Sequence, residues 1–246
     1  MNILNVKHLS KSFGNKKILD DVNFSLDAGE CLGIVGRSGC GKSTTVKIIA
    51  RLLEADSGQI ILDGEDITHK KNLSETYKKM QMIFQMPEDS FDPRQTLGWS
   101  IGEPMRNHHF DNIDEKIKNL LVEVGLTAEY KNRYPHEVSG GQCQRAAIAR
   151  AISLSPKLLI CDEATSALDV TVQSQIIKLI RRLCTEKNIA CLFITHDLAL
   201  LPKIADRVIV MHDGKIVERG TPNDIINNPK SEFAKELMSA DFFNME

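Results

Sequence analysis

Residues 36–44 read Gly36-Arg37-Ser38-Gly39-Cys40-Gly41-Lys42-Ser43-Thr44, the most informative motif of the sequence. An apolar run at 31–35 precedes it and a helical pattern of apolar residues follows it, so the order is strand, glycine-rich loop, helix. The spacing G-x-x-x-x-G-K-S lets successive backbone N–H groups and the helix N-terminus face a triphosphate. Lys42 is expected to reach the β- and γ-phosphates, and the Ser43 hydroxyl to bind Mg²⁺. A glycine turn that merely joins a strand to a helix is the alternative, but the full context favours a nucleotide phosphate site.

The composition limits the possible classes of protein. The 246 residues are 42% hydrophobic, which suffices for one α/β domain with an inserted subdomain and a core of its own. The 31 basic and 33 acidic residues leave a net charge of −2, so nucleic acid is not an expected partner. Six cysteines without a C-x-x-C pair predict reduced thiols rather than a disulfide framework or a metal cluster. The N-terminus lacks the apolar core of a signal peptide, and no run approaches the roughly 18 apolar residues of a membrane span. We therefore expect a soluble chain that could lie against a membrane partner.

The remaining patterns predict an α/β fold. It combines a P-loop NTPase core with a mixed sheet, an N-terminal antiparallel β-subdomain and an inserted α-helical subdomain. Alternating residues over 3–9 and 22–26 indicate half-buried strands on either side of a loop that contains Phe13. Three- and four-residue steps from Ile117 to Val124 indicate a helix, and the apolar runs at 158–161 and 189–195 indicate buried parallel strands. We predict one domain over 1–246: an antiparallel part (about 1–30 and 58–70), a P-loop core (31–57, 80–90 and 156–220), a helical subdomain with a second motif (91–155) and a helical tail (221–246).

Further polar residues lie where parallel strands and helices are predicted to end or begin. Asp162 and Glu163 follow a buried strand, where ligands bind in open α/β sheets. His196 follows the next strand, although an isolated histidine there is more often structural. Ser139 with two glycines begins a small-residue helix, a second potential anion site. Phe13 could stack on a base or simply pack, and the adjacent His108 and His109 are expected in a solvated loop rather than on a metal.

The complete set of motifs resembles the ATPase subunit of an ATP-binding cassette (ABC) transporter. The set comprises Phe13, the 36–44 loop, Gln85, V-S-G-G-Q at 138–142, L-L-I-C-D-E at 158–163, S-A-L-D at 166–169 and His196. The resemblance implies that ATP and Mg²⁺ are the cofactors. It implies that Phe13 stacks on adenine, that Ser43, Gln85 and Asp162 arrange the Mg²⁺ shell, that Glu163 activates water and that His196 senses the γ-phosphate, with Gln85 and His196 counted beside Glu163 as catalytic. The residues implied to bind the nucleotide are Phe13, Gly36, Arg37, Ser38, Gly39, Cys40, Gly41, Lys42, Ser43, Thr44, Ser139, Gly140, Gly141 and Gln142.

The resemblance also implies an assembly. In this family the signature of one subunit closes over the nucleotide of another, so a second ATPase subunit is expected, in a homodimer or more often a heterodimer. Two membrane permease subunits and an extracytoplasmic substrate-binding protein, reached through the permease, complete the expected complex at the cytoplasmic face of the membrane. Val138 and Ala164 replace the usual leucine and proline, but both are apolar and leave the reacting groups in place. The break at Gln85 and the loop through Ser90 and Phe91, expected to be exposed, are predicted to contact a permease.

Two further stretches resemble the peptide and nickel importer subfamily. They are F-Q-M-P and F-D-P-R-Q-T within 84–96, and S-A-L-D-V-T-V-Q-S-Q-I at 166–176. Peptide-importing members commonly carry a C-terminal extension with clustered cysteines, and here no cysteine follows Cys191. The expected cargo is therefore nickel or a metal complex, with oligopeptides or dipeptides second. A soluble ABC-type ATPase of the translation or DNA-repair kind is the alternative function, and a small-molecule P-loop kinase would give no reason for the signature helix.

Overall fold

The computed structural model describes residues 2–242, with side chains described for residues 2–239. In chain order the elements are β1 (Asn2–Phe13), β2 (Lys16–Asp27), β3 (Cys31–Val35), α1 (Lys42–Ile49), β4 (Ser57–Leu62), β5 (Glu65–Asp66), α2 (Ser74–Lys79), β6 (Met80–Ile83), α3 (Leu97–Asn107), α4 (Ile113–Glu123), α5 (Gly140–Ile152), β7 (Leu158–Asp162), α6 (Val170–Lys187), β8 (Ala190–Ile194), α7 (Leu201–Ile204), β9 (Arg207–His212), β10 (Lys215–Gly220), α8 (Pro222–Asn227) and α9 (Glu232–Phe242). No helix in this part of the chain is long and apolar enough to cross a bilayer.

A six-stranded sheet forms the centre of the molecule, in the order β10-β9-β3-β8-β7-β6. All neighbouring strands are parallel except the β9–β10 pair, which is a hairpin. Every residue of β3 and β8 is buried, as expected for parallel strands covered on both faces. Because parallel strands end at the same edge, the segments that follow β3, β6, β7 and β8 meet there. This edge carries the glycine loop, Gln85, Asp162 with Glu163, and His196.

A second, antiparallel sheet has the order β2-β1-β4-β5. Its apolar face shares one cluster with the central sheet, including Leu4, Leu19, Ile34 and Ile209. The predicted loop around Phe13 is shorter than expected, because Phe13 is the last residue of β1 and the turn consists of Gly14 and Asn15. Register irregularities between Val6 and Ser12 interrupt the alternation of polar and apolar residues, so the pattern predicted only the inner parts of both strands.

Helices α3, α4 and α5 pack together as one group. The apolar side chains of this group belong to the same hydrophobic cluster as those of α6 and one face of the central sheet. That cluster includes Ile101, Leu121, Ile148, Ile176 and Phe193. Helix α4 ends before Gly125, whose φ of +80° suits a glycine. The mixed α/β fold with an N-terminal antiparallel sheet and inserted helices is thus confirmed, while the numerical boundaries of the four parts stay a prediction. The end of the predicted tail, 243–246, lies outside the described residues.

Three sequence expectations need comment. Phe91 is buried in the helical cluster, so the loop after Gln85 is less exposed than its prolines and acidic residues indicated. The exposed apolar residues of this region are instead Phe84 and Met86. All six cysteines are buried and free of disulfides, and among the described side chains no group of three or more histidines, cysteines or carboxylates is arranged to hold a metal ion.

Candidate nucleotide-binding site

The loop between β3 and α1 can only be built with glycine at two positions. Gly36 and Gly41 have φ values of +153° and +106°, and Gly39 has +80°. A Cβ atom on Gly36 would lie 2.2 Å from the Met211 carbonyl oxygen, and one on Gly41 would lie 2.6 Å from Leu19 Cδ2. Gly41 also precedes α1 without a side-chain cap, so it does not block the first N–H groups of the helix. The result is a backbone cradle that fits a phosphate chain.

Lys42 lies across this cradle. Its side chain is buried, and Nζ donates to the carbonyl oxygens of Gly36 (2.6 Å) and Arg37 (3.1 Å). The flanking Arg37, Ser38 and Gly39 are exposed. A buried ammonium beside exposed backbone N–H groups concentrates positive charge at the mouth of the loop, which favours an anion with several phosphates.

Ser43 and Asp162 meet between the start of α1 and the end of β7. Ser43 Oγ donates to Asp162 Oδ1 over 3.3 Å. Burial raises the pKa of Asp162 above its ordinary value, the Ser43 hydrogen bond opposes this, and the neighbouring Glu163 adds to it. Hydroxyl and carboxylate oxygens are suitable ligands for Mg²⁺, so this pair fits the predicted cation. Gln85 follows β6 at the same edge, exposed and without a hydrogen bond to either residue.

The Glu163 carboxylate lies beside His196, which follows the end of β8. Its Oε2 lies 3.4 Å from Nδ1 of His196. The backbone of Glu163 has a φ of +50°, which is uncommon for a residue with a side chain. Its N–H donates to the Ile194 carbonyl, and Ser166 donates to its carbonyl through both N–H and Oγ. The two adjacent carboxylates therefore have different neighbours.

Phe13 is half exposed at the tip of the β1–β2 hairpin. The hairpin borders the loop, because Ile18 and Leu19 of β2 lie against Gly41. The only ring contact found for Phe13 within the described residues is with Lys11, whose Nζ lies 5.5 Å from the ring centroid. An exposed aromatic ring in this place suits stacking on a base.

The signature residues form a separate group at the start of α5. Ser139 caps the helix by accepting from the Gln142 N–H (3.4 Å), while Gln142 Oε1 accepts from the Ser139 N–H (2.9 Å). Ser139 and Gly140 are exposed. Gly141 must lack a side chain, because a Cβ atom would lie 2.7 Å from Val172 Cγ1. No hydrogen bond or ion pair found in residues 2–242 joins this group to the glycine loop, Asp162 or His196.

Sequence reasoning missed one buried polar residue beside this site. Gln144 is fully buried in α5, and its Nε2 donates to the Ala164 carbonyl over 2.7 Å. The available signal was a glutamine at helical spacing with Ile148 and Ala151, on the apolar face of the helix. A polar side chain on such a face needs a buried partner.

Comparisons with known proteins agree with this geometry. The family model described as "ABC transporter" matches residues 19–166. The oligopeptide transport ATP-binding protein OppF of Bacillus subtilis (strain 168) is 43% identical over 249 residues, covering 97% of this chain and 82% of that protein. OppF of Escherichia coli (strain K12) is 44% identical, covering 91% of this chain and 69% of that protein. The glutathione import ATP-binding protein GsiA of Pectobacterium atrosepticum is 46% identical, covering 90% of this chain but 36% of that protein.

The solved structures give the same result. CbiO1 of Clostridium perfringens, described as part of the ABC transporter complex cbiONQ, superimposes with a TM-score of 0.83 at 28% identity and covers 100% of this chain and 95% of that one. The family match spans more than half of the chain, and the relatives are similar over nearly all of it. The chain belongs to the ABC transporter family and is one of its ATPases, in which ATP hydrolysis is coupled to transport.

Proposed function

We propose that this chain is the ATP-hydrolysing subunit of an importer of oligopeptides or related small peptides. The observation that carries the proposal is 43% identity over 97% of this chain to a protein named for oligopeptide transport. The GsiA relative is named for import of glutathione, itself a small peptide. The expectation of a nickel cargo finds no support in the relatives described above, so we propose peptides in its place. Nothing in these comparisons supports a soluble ATPase that acts without a permease.

The nucleotide is held by the cradle and its neighbours. We assign the triphosphate to the N–H groups of residues 36–44 and to Lys42, and the adenine ring to Phe13. Ser43 and Asp162 would hold Mg²⁺, with Gln85 from the end of β6; the ion supplies charge neutralisation to the phosphates. The fit rests on the glycine cradle and on the oxygen donors of Ser43 and Asp162, which are 3.3 Å apart.

Glu163 is the proposed general base. Its carboxylate is free of the Ser43–Asp162 pair and is oriented by the His196 ring. In this position it can orient a water molecule and accept its proton as the water oxygen attacks the γ-phosphorus, while the bond from the γ-phosphorus to the β–γ bridging oxygen breaks and ADP leaves with that oxygen. Phosphoryl transfer of this kind depends mainly on positioning and charge, which a rigid strand end provides.

The exposed signature helix acts on a different copy of the site. Since Ser139, Gly140, Gly141 and Gln142 lie apart from the glycine loop of their own chain, we propose that they close over the nucleotide of a second ATPase subunit. Two permeases and an extracytoplasmic binding protein would complete the importer, with this chain at the cytoplasmic face of the membrane and without nucleic acid. Ser139 caps this helix and its start is exposed to solvent, which leaves it accessible to a second subunit and supports this arrangement.

The proposed permease contact lies next to Gln85. Exposed Phe84 joins Leu52, Tyr77 and Arg150 around a cavity of about 190 Å³. Cysteines at Phe84 or Met86, which are exposed, are better crosslinking positions than Phe91, which is buried. We expect crosslinks to permease loops in an active complex.

Uptake measurements in a strain lacking this gene test the cargo. We expect uptake of a radiolabelled oligopeptide to collapse and uptake of radiolabelled nickel to stay unchanged. The wild-type gene should restore peptide uptake, whereas Glu163→Gln should not. Unchanged peptide uptake together with lost nickel uptake would contradict the proposal and would favour nickel as the cargo.

A further inference from the structure

The side-chain amide of Gln144 is wholly buried, and its two polar atoms differ in their hydrogen bonding. Nε2 donates to the Ala164 carbonyl over 2.7 Å, while Oε1 accepts no hydrogen bond from any residue that the structure describes. The orientation is determined by chemistry, because the reversed amide would place two oxygens against each other. Its neighbours on the buried face of α5, Cys143, Ala147 and Ile148, are apolar or weakly polar. An apolar side chain of similar length would fill this space without a buried unpaired acceptor, so packing alone does not explain a glutamine here.

The hydrogen bond of Gln144 reaches a strained part of the backbone. Ala164 directly follows Glu163, which adopts a φ of +50°. A residue with a side chain stays in this region only when its surroundings hold it there. Ile194 and Ser166 hold Glu163 from β8 and from the same turn. In the described part of the chain, Gln144 supplies the one side-chain hydrogen bond from α5 to residues 163–166.

The start of α5 also lies close to residues that follow the Glu163 turn. A Cβ atom on Gly141 would come within 2.7 Å of Val172 Cγ1, and one on Gly140 would lie 3.7 Å from Leu168 Cδ2. Leu168 lies between the Glu163 turn and α6, and Val172 lies in the first turn of α6. The helix that begins at Ser139 is therefore bonded to the Glu163 turn through Gln144, and its first residues lie close to Leu168 and Val172.

We propose that Gln144 is a positioning residue for Glu163. Its amide fixes the turn in which the Glu163 carboxylate faces His196. The same hydrogen bond links this turn to α5, and the first residues of α5 are those proposed to contact a second subunit. This inference rests on the proposed role of Glu163 as the general base. A displacement of α5 on closure with the second subunit thus changes the position of the base at this chain's own nucleotide.

Steady-state kinetics of the full chain, assembled with its partner ATPase and permeases, test the inference. Gln144→Met removes the amide and keeps the length of the side chain. We expect kcat to fall about tenfold while KM for ATP changes by less than about twofold, because orientation of the base and not binding is lost. The melting temperature should stay close to that of the wild type. The variant removes one buried unpaired acceptor, Gln144 Oε1, and creates another, because the Ala164 carbonyl loses its donor.

Cys143→Ala is the matched control. Cys143 is buried at the adjacent position of α5, and no side-chain hydrogen bond from it reaches residues 163–166 among those described. This variant should lower the melting temperature and leave kcat unchanged. Gln144→Leu replaces the same amide by an apolar side chain of a different shape. It should also lower kcat and leave KM for ATP nearly unchanged. A wild-type kcat in either Gln144 variant would overturn the inference.

Single-turnover measurements in the Glu163→Gln background separate this inference from the function on which it rests. Since Gln144 acts through Glu163, Gln144→Met should cause no further loss there. If Gln144→Met lowered the single-turnover rate by the same factor in the wild type and in Glu163→Gln, Gln144 would not act through Glu163. That result would overturn this inference and leave the proposed base intact. A wild-type rate for Glu163→Gln by itself would instead overturn the proposed base, and this inference with it.

Discussion

Asp162 and Glu163 are neighbours in the chain but have different surroundings. Asp162 is the last residue of β7 and bonds Ser43, whereas Glu163 turns toward His196. Burial raises the pKa of Asp162, so the charged form of this carboxylate is disfavoured in the folded protein. A partly buried carboxyl group with a raised pKa is typical of a functional site.

Replacing Asp162 should therefore stabilise the protein without nucleotide or Mg²⁺. Because the folded-state pKa is higher than the unfolded one, the folded protein binds the proton more tightly. The free energy of unfolding then falls as pH rises from the ordinary value of 3.8 through the folded pKa, and the full loss is present above the folded pKa. Asp162→Asn should raise the melting temperature at pH 7 by about 2 °C or more.

Thermal melts at several pH values check this expectation. The difference between Asp162→Asn and wild type should shrink as the pH is lowered toward 4. The same variant should weaken Mg²⁺-dependent ATP binding, since it removes charge beside the metal. An equal or lower melting temperature at neutral pH would contradict the account of this residue.

Two glycines of the loop offer a matched pair of substitutions. Both have left-handed backbones, but a Cβ atom on Gly41 would lie 2.6 Å from Leu19 Cδ2 and 2.9 Å from the Ile18 carbonyl oxygen, while one on Gly39 would meet nothing within 4 Å. Gly39→Ala should cost about 1 kcal/mol of backbone strain, whereas Gly41→Ala should cost about 3 kcal/mol through strain and collision. Denaturant unfolding and binding of a fluorescent ATP analogue measure both effects. Equal losses in the two variants would show that the contacts of Gly41 with β2 do not matter.

Asp63 connects the two sheets. It lies in the turn between β4 and β5, and its carboxylate bonds Lys79 at the end of α2 (2.9 Å) and Lys157 just before β7 (2.8 Å). The side chain is 12% exposed. Hydrogen bonds from Lys157 and Lys79 hold the pKa of Asp63 below its ordinary value. The charged form thus stabilises the junction between the antiparallel sheet and the central one.

Asp63→Asn should lower the free energy of unfolding by about 1–2 kcal/mol at neutral pH. Because the folded pKa is lowered, this stability is present above the unfolded pKa and is lost as pH falls through the folded pKa. The difference between variant and wild type should therefore vanish in acid. Asp114→Asn is the control, since Asp114 also pairs with two lysines but is 61% exposed, and its loss should be smaller. Equal losses would contradict the role given to the buried junction.

Local patterns predicted those elements whose signals lie within a few residues. The strand, glycine loop and helix around Lys42 are present, and Asp169 and Thr221 cap α6 and α8 through their side chains. Bulges in β1 hid the full length of the N-terminal hairpin. Phe91 was misjudged because its burial depends on helices that follow it in the chain. The role of Gln144 depends on a carbonyl 20 residues away, which no local pattern reveals.

The whole molecule places the two groups of predicted site residues apart from each other. The glycine loop, Asp162, Glu163 and His196 meet at one edge of the central sheet, and the signature helix begins apart from them. The motifs predicted both groups, but their separation within one chain becomes visible only in three dimensions. We therefore propose that a second subunit completes each nucleotide site.

Glu163→Gln is the variant that tests this account most directly. It keeps the shape and hydrogen-bonding capacity of the side chain and removes the charge that accepts a proton from water. In the complex with its partner ATPase and permeases, ATP should still bind, and hydrolysis should fall by about 10²–10⁴-fold, the usual contribution of a positioned general base.

The measurement is the rate of phosphate release from this complex, with the subunits followed on a sizing column with and without ATP. We predict a large loss of hydrolysis together with an ATP-dependent association of the two ATPase subunits, held through Ser139 and Gly141. A wild-type rate of phosphate release from Glu163→Gln would contradict the central claim, and His196 or Gln85 would then be the next candidate for organising the water.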